Sequence, residues 1–429
     1  MKTHRQLATV SLLLPSSLIF AACSQESSPA EEASVAVAAA AITSNADVPP
    51  PGGTPAAITE APTGFDNLTN GFSTQVDMDA AADLFSEVEG IDDGLGPVYN
   101  AQSCRECHQN PVTGAGSQIL EFRAGHFNGI SFVDHPGGSL INSRAIDPAI
   151  QERIASGQEV RTFRASISLM GDGFVESIDS KTLANISAAQ PSAQRGSVIQ
   201  VPVLEAAGST RVGRFGWKNQ QASLLSFAAD AYVNEMGITS SLQPTENTSN
   251  GTSVAPFDTV ADPEDIGDAD INGFALFIRS LKAPSRDAAV AATASSQRGD
   301  ALFTSIGCDT CHVRTINTAP AGTVINAGAF TVPAALGSKA IHPFGDFLLH
   351  DIGTGDGIVQ NGGAGSRNQV RTAALWGMRA RNTLMHDGTT VSRSDAIARH
   401  KNQAQASANA FAALSTSSQL DLINFLNSL

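Results

Sequence analysis

Polar-edged aromatics are scarce in this chain, with two Trp and two Tyr in 429 residues, so neither indole is treated as filler by default. Basic residues are also few: 26 Lys and Arg face 41 Asp and Glu, for a formal net charge of -15 and a pI near 4.9. That balance argues against nucleic acid or an anionic membrane surface as partner. The one sustained apolar run, Leu7 to Ala22, is too short and too soon followed by polar sequence to read as a membrane span. With Lys2, His4 and Arg5 ahead of it, it reads as a signal peptide over residues 1–22. Phe20-Ala21-Ala22-Cys23 resembles a lipoprotein cleavage box, so the expectation is a periplasmic protein anchored to the outer membrane by lipid on Cys23, with plain secretion as the alternative. Large apolar side chains are almost absent from Ser24 to Pro62, and residues 23–63 are expected to be a disordered tether.

Cysteine is sparse too, and its placement is informative. One of the five is Cys23; the rest form Cys104-Arg105-Glu106-Cys107-His108 and Cys308-Asp309-Thr310-Cys311-His312. No thiol is left over for a disulfide. CxxCH is the attachment spacing of c-type haem: two thiols add to the vinyl groups, and the adjacent imidazole becomes an iron ligand. A zinc ribbon is disfavoured by the long separation of the pairs, and a thioredoxin-like dithiol by the lack of a βαβ setting. The expectation is two covalently bound haem c groups, with His108 and His312 as metal ligands. An acidic surface then suits a small basic redox protein as electron donor.

Periodicity supplies a layout. Helical patterning runs from Met78 to Val88 ahead of the first motif and from Gln297 to Ile306 ahead of the second, an internal repeat. Helices at Ile271 to Leu281 and Ser418 to Leu429 are expected to close the two units, with a boundary near Pro284. Val198 to Val201 against Thr210 to Gly213 reads as a hairpin that leads to Trp217. The fold class expected is mainly α: two cytochrome c-like haem domains, residues 64–284 and 285–429. The first carries an insertion from about Ser117 to Gly216 with β hairpin signals.

From Gly64 to Leu429 the chain resembles the dihaem oxidoreductase family, peroxidase-like proteins related to bacterial dihaem cytochrome c peroxidases. The matching stretches are Gly96-Pro97-Val98-Tyr99-Asn100, Gly213-Arg214-Phe215-Gly216-Trp217-Lys218, Asn234-Glu235-Met236-Gly237-Ile238-Thr239, Leu349-His350-Asp351 and Met385-His386-Asp387-Gly388. The resemblance implies a distal ligand for the second haem fourteen residues beyond His386, which is His400. The residues agree, since Ser392 and Asp395 form a capping box whose helix sets Ala396, Ile397 and His400 on one face. A helix-terminal His interacting with the dipole is the alternative.

For the first haem, His126 and His135 follow the motif at spacings that force neither to ligate, and an open distal position is expected. Glu176, ending the run Gly171-Asp172-Gly173-Phe174-Val175-Glu176, is the candidate proton shuttle, and Trp217 the candidate electron bridge. Arg371 matches a family position that pairs with a haem propionate. His350 and His386 are read as orienting residues near the second haem. Asp262, Glu264, Asp265, Asp268 and Asp270 read first as a solvated acidic loop; the resemblance raises calcium, an ion that peroxidase relatives hold between domains, as the alternative, although the spacing is not that of an EF-hand. The function expected is peroxide reduction at the first haem with electrons entering at the second. Oxygenation with dioxygen, or electron transfer without catalysis, are the alternatives.

Overall fold

The computed structural model describes residues 47–51 and 56–429; the leader, Cys23 and most of the tether lie outside them. Two helix pairs frame the two motifs. The first pair is Gln75–Ser86 with Ala269–Ser280. Thr74 starts its first member by accepting the Asp77 N–H, and Phe85 at its end packs on Phe277 with ring centroids 4.9 Å apart. The second pair is Ala294–Ser305 with Thr416–Leu426, capped by Thr293 and Ser415, with Phe303 on Phe425 at 5.2 Å.

Each pair uses one glycine to let its helices close. A Cβ on Gly273 would lie 2.3 Å from Leu84 Cδ2, and one on Gly299 would lie 2.0 Å from the Asp421 carbonyl oxygen. Burial of Phe85 and Phe303, each 2% exposed, supplies roughly 2 kcal/mol apiece. The expected helices are therefore present with ends displaced by a few residues, as fraying ends commonly are.

Between the pairs the chain has more strand than expected. Over the described residues helix accounts for 34% and strand for 16%, so helix predominates as expected, but beside several small sheets. The largest sheet lies inside the expected insertion: Leu120–Phe127 pairs antiparallel with Phe132–Asp134, Leu140–Ile141 and Val160–Ala165. The hairpin before Trp217 forms between Gln200–Pro202 and Thr210–Val212, with Val201 opposite Arg211.

The described residues belong to one compact unit. One apolar cluster gathers Phe85, Phe174, Phe277, Ile316, Leu336 and Phe347, and a smaller one gathers Phe303, Phe344, Leu422 and Phe425. The expected tether ends earlier than composition suggests. Asp47 is buried in a 2.9 Å ion pair with Arg211, and Thr59–Glu60 adds a parallel strand to Lys339–Ile341. Low hydrophobicity misled there because one buried ion pair and a few backbone bonds do the anchoring. Among the described residues no helix is long and apolar enough to cross a membrane.

Candidate functional site

The two CxxCH motifs are built alike. In each, the His N–H closes a turn on the first cysteine's carbonyl, His108 on Cys104 at 3.1 Å and His312 on Cys308 at 3.0 Å. In each, the ring lies 6.3 Å from the Phe of the preceding helix, Phe85 at 58° and Phe303 at 52°. Nδ1 is pinned by a backbone carbonyl, Ala115 O at 3.1 Å for His108 and Phe344 O at 2.9 Å for His312. Pinning Nδ1 as the protonated nitrogen leaves Nε2 as a lone-pair donor, the form a metal needs. Burial pushes both imidazoles down to about 4, so they are neutral at ordinary pH.

The second motif opens on an apolar cavity of about 1370 Å³, mouth included, lined by Cys308, Cys311, Trp217, Leu375, Met378 and Leu422 among others. His400 stands across it. Ser392 caps the helix Arg393–Ala398 through the Asp395 N–H, and His400 follows just past its end, its Nδ1 2.7 Å from Ala396 O. The His312 and His400 rings have centroids 6.4 Å apart. Two imidazoles sharing one metal through Nε2, with bonds of about 2.0 Å, require a separation of roughly 6.3 Å. The donor set and spacing fit a haem iron between them.

Arg371 is buried, with Nε spent on Gly216 O at 2.9 Å, and it lines this cavity and a second one of about 500 Å³. Two guanidiniums not foreseen from sequence join it on the cavity wall. Arg381 reaches only Ser166 O, at 3.4 Å, and the Nε of Arg393 is buried without a partner. Free donors on arginines facing an apolar cavity suit the carboxylates of a haem. His350 lies under Cys311, its Nδ1 3.8 Å from Sγ and its Nε2 2.8 Å from Asp346. Burial works against its charge, but Asp346 outweighs this and raises the imidazole to about 10.

Trp217 is 6% exposed on the same cavity wall, edge-on to His386 at 6.1 Å. Its indole N–H donates to Ala165 O at 2.8 Å, and two residues further on Ile167 O lies within hydrogen-bonding reach of the His108 ring. One short backbone segment thus touches both the indole and the first motif's imidazole. The neighbour Lys218 is buried on Asp356 at 2.8 Å, and Arg164 shares that carboxylate, which fixes the loop.

Glu176 does not sit as a free acid. It is fully buried and bound by Arg279 through both oxygens, at 2.7 and 2.9 Å, and it also accepts from the Leu224 N–H and from Asn326. Burial alone would raise its pKa, but Arg279 outweighs it and the carboxyl is held below its usual range. The glycine-rich run instead turns Asp172 toward the cavity that Arg371 lines, where burial pushes it up to about 8.

The acids beside the first motif come from elsewhere. Glu235 lies in the single π turn Tyr232–Met236, a helix irregularity that often marks function. It accepts from Asn100 at 3.0 Å and hydrogen-bonds Glu121 of the insertion sheet, both carboxyls lying close enough to Cys107 to act on its thiol. Two carboxyls in one hydrogen bond hold a proton between them. Burial and the Glu121 charge push Glu235 up, whereas Arg123 and Arg164 overcome burial to hold Glu121 down. His126 and His135 stay within the sheet region: His126 lies opposite Val133, and buried His135 accepts the Ala155 N–H. Only resemblance drew attention to the Asn234–Thr239 run; no spacing signal tied Glu235 to Glu121.

Among curated proteins none matches this chain. Solved structures similar to it include Kuenenia stuttgartiensis hydrazine synthase under xenon, at 14% identity over 89% of this chain and 97% of that one, TM-score 0.40. A MauG-like protein associated with microbial copper homeostasis shares 14% identity over 88% and 94%, TM-score 0.40. A variant of the diheme peroxidase BthA from Burkholderia thailandensis shares 15% over 89% and 94%, TM-score 0.38. The family model described as "Di-haem oxidoreductase, putative peroxidase" matches residues 147–429, about two thirds of the chain and including the second CxxCH motif. This chain therefore belongs to the di-haem oxidoreductase family, whose members hold two haems.

Proposed function

We propose that this di-haem oxidoreductase is a peroxidase that takes electrons at the second site and reduces peroxide at the first. The observation that carries the reading is an asymmetry. His312 faces a second imidazole at iron-sharing distance, whereas among the described residues the His108 ring has only Phe85 as an aromatic neighbour. A centre held on both faces passes electrons; one held on a single face can also take a small oxidant. Two haems, joined by thioethers to Cys104, Cys107, Cys308 and Cys311, supply the redox chemistry when bound.

The chain's residues do the rest. His312 and His400 would hold the second group, their Nδ1 atoms pinned by Phe344 O and Ala396 O so that Nε2 is left to donate. Arg371, Arg381 and Arg393, which line the cavity, would pair with its carboxylates. Trp217 bridges the sites, its orientation fixed by Ala165 O and by the buried Lys218–Asp356 pair. Peroxide reduction to water consumes two electrons and two protons, and the Glu121–Glu235 pair holds a proton beside the first motif, the role first sought in Glu176. The leader and Cys23 support export to the periplasm with a lipid anchor, where haem attachment and a small redox partner would both be met.

Electron paramagnetic resonance of the ferric and half-reduced protein tests the assignment. A high-spin signal beside a low-spin bis-histidine one is expected. Two low-spin signals persisting at half reduction, with no peroxide turnover, would leave a non-catalytic electron carrier as the reading.

A further inference from the structure

Only two tyrosines occur in the chain, and one of them, Tyr232, is 2% exposed beside the first motif. It opens the π turn Tyr232–Met236, which brings one group to each cysteine of that motif: Glu235 lies close enough to act on Cys107, and the Tyr232 phenol lies close enough to feel Cys104. The hydroxyl lies 3.1 Å from Asp270 Oδ2 and 3.4 Å from Glu89 Oε1, with one proton for two carboxyl groups. Burial, and then the charges of Glu89 and Asp270, push the phenol well above its ordinary range, so at rest it keeps that proton. Burial and the neighbours Glu87, Asp270 and Asp93 push Glu89 up to about 7, so this carboxyl exchanges a proton near neutral pH.

On its other side the Tyr232 ring is linked to the first motif by a chain of aromatic contacts. Tyr232 meets Phe274 edge-on at 5.0 Å and 88°, Phe274 meets Phe85 at 6.0 Å and 85°, and Phe85 lies 6.3 Å from the His108 ring. Asp270 and Phe274 are one turn apart on the helix Ala269–Ser280, so one element carries both the ring contact and the proton acceptor. The second motif is built differently at this point. There Phe303 leads from His312 to Phe344 and Phe425, and among the described residues no tyrosine ring stacks on either.

We infer that Tyr232 is a redox-active residue of the first site, giving up one electron to that site and its phenolic proton to Asp270. The inference rests on the reading of the first site as the place where peroxide reacts. Oxidation of the phenol breaks its O–H bond: the electron is one of the two that peroxide takes, the proton passes to the Asp270 carboxylate, and a neutral phenoxyl radical remains. An electron arriving later from the second site, with the proton held by Asp270, restores the phenol. The carboxylate is essential to this balance, because loss of the electron alone would leave a cation in a buried site, whereas the phenoxyl carries no charge. Peroxide can then be fully reduced when the second site has delivered only one electron.

The test mixes the haem-loaded ferric protein with hydrogen peroxide, freezes it within milliseconds and reads paramagnetic resonance. A tyrosyl signal is expected, narrowed when the protein carries ring-deuterated tyrosine, a response that an indole radical on Trp217 would not show. Tyr232→Phe, which keeps the ring and its contacts, should abolish the signal, and Tyr99→Phe should retain it. Glu89→Gln combined with Asp270→Asn should slow its appearance about tenfold or more, as loss of a proton acceptor does. Photo-oxidation of the same protein by a ruthenium complex separates this inference from the peroxidase reading: a tyrosyl signal raised by light but not by peroxide would count against peroxide reduction and still support Tyr232 as the electron donor. No tyrosyl signal by either route, a signal undiminished in Tyr232→Phe, or an unchanged rate in the double variant would overturn the inference.

Discussion

His312 and His400 face each other at 6.4 Å between ring centroids and 56° between planes, each with its Nδ1 held by a main-chain carbonyl. The bond from Ala396 O matters as much as the spacing, because it fixes which nitrogen His400 presents. His400→Ala should convert the second haem from a six-coordinate low-spin centre to a five-coordinate or water-bound one. Absorption and paramagnetic resonance of the purified variant read this directly. An unchanged low-spin signal would mean that another residue is the ligand.

Trp217 is held by one hydrogen bond from its indole, to Ala165 O. Trp217→Phe keeps most of the apolar contact but leaves that carbonyl unsatisfied, at a cost of about 1–2 kcal/mol in denaturant unfolding. Electron transfer between the sites, followed by stopped-flow after reduction of the second haem, should slow well beyond what that stability loss explains. A variant that transfers at the wild-type rate would reduce Trp217 to a packing residue.

Glu176→Gln separates a structural role from a chemical one. The substitution leaves Arg279 buried without its counter-charge, and breaking such a pair typically costs about 3 kcal/mol or more. Chemical denaturation should show that loss, while peroxide turnover per folded, haem-loaded molecule should stay near wild type.

The shared proton of Glu121 and Glu235 has a pH signature. Folding raises the Glu235 pKa, so above the ordinary carboxyl range the folded chain binds a proton that the unfolded chain has released. Stability contributed by this group therefore falls as pH rises through that window. Glu235→Gln should flatten that part of the denaturation profile and remove the alkaline decline of peroxide turnover. A wild-type profile with no alkaline decline would exclude the pair from proton delivery.

Gly299→Ala sets two effects against each other. Alanine is the better helix former by about 1 kcal/mol. Its Cβ, however, would lie 2.0 Å from the Asp421 backbone, and such overpacking costs about 1–3 kcal/mol or more. The steric term should win, and thermal melts of the variant should show the loss together with a broadened second-haem spectrum.

What was legible in the sequence was local. The CxxCH motifs, the Ser392 cap, the hairpin before Trp217 and the helices ahead of each motif depend on residues within one turn or one hairpin of each other. The four-stranded sheet was not legible as a whole, because Leu120–Phe127 pairs with Val160–Ala165 across a long intervening stretch. Long separations along the chain likewise hid Arg279 from Glu176 and Glu121 from Glu235. A glycine-rich run ending in an acid looks identical whether the acid faces a cofactor or an arginine. Composition hid Asp47 for the same reason, since its burial depends on Arg211 far along the chain.

The segment Ala165 to Ile167 has a consequence for how this molecule can change. One carbonyl steadies the indole and the other the first motif's imidazole; Ala165 ends the strand Val160–Ala165 of the insertion sheet, and Ile167 lies two residues past it. A shift of that strand by one residue would turn the Ala165 carbonyl away and carry the segment holding the Ile167 carbonyl with it. The two centres share a single mechanical reference, so tuning one by remodelling the sheet retunes the other, and adjustments confined to one centre have to arise in its own helix pair.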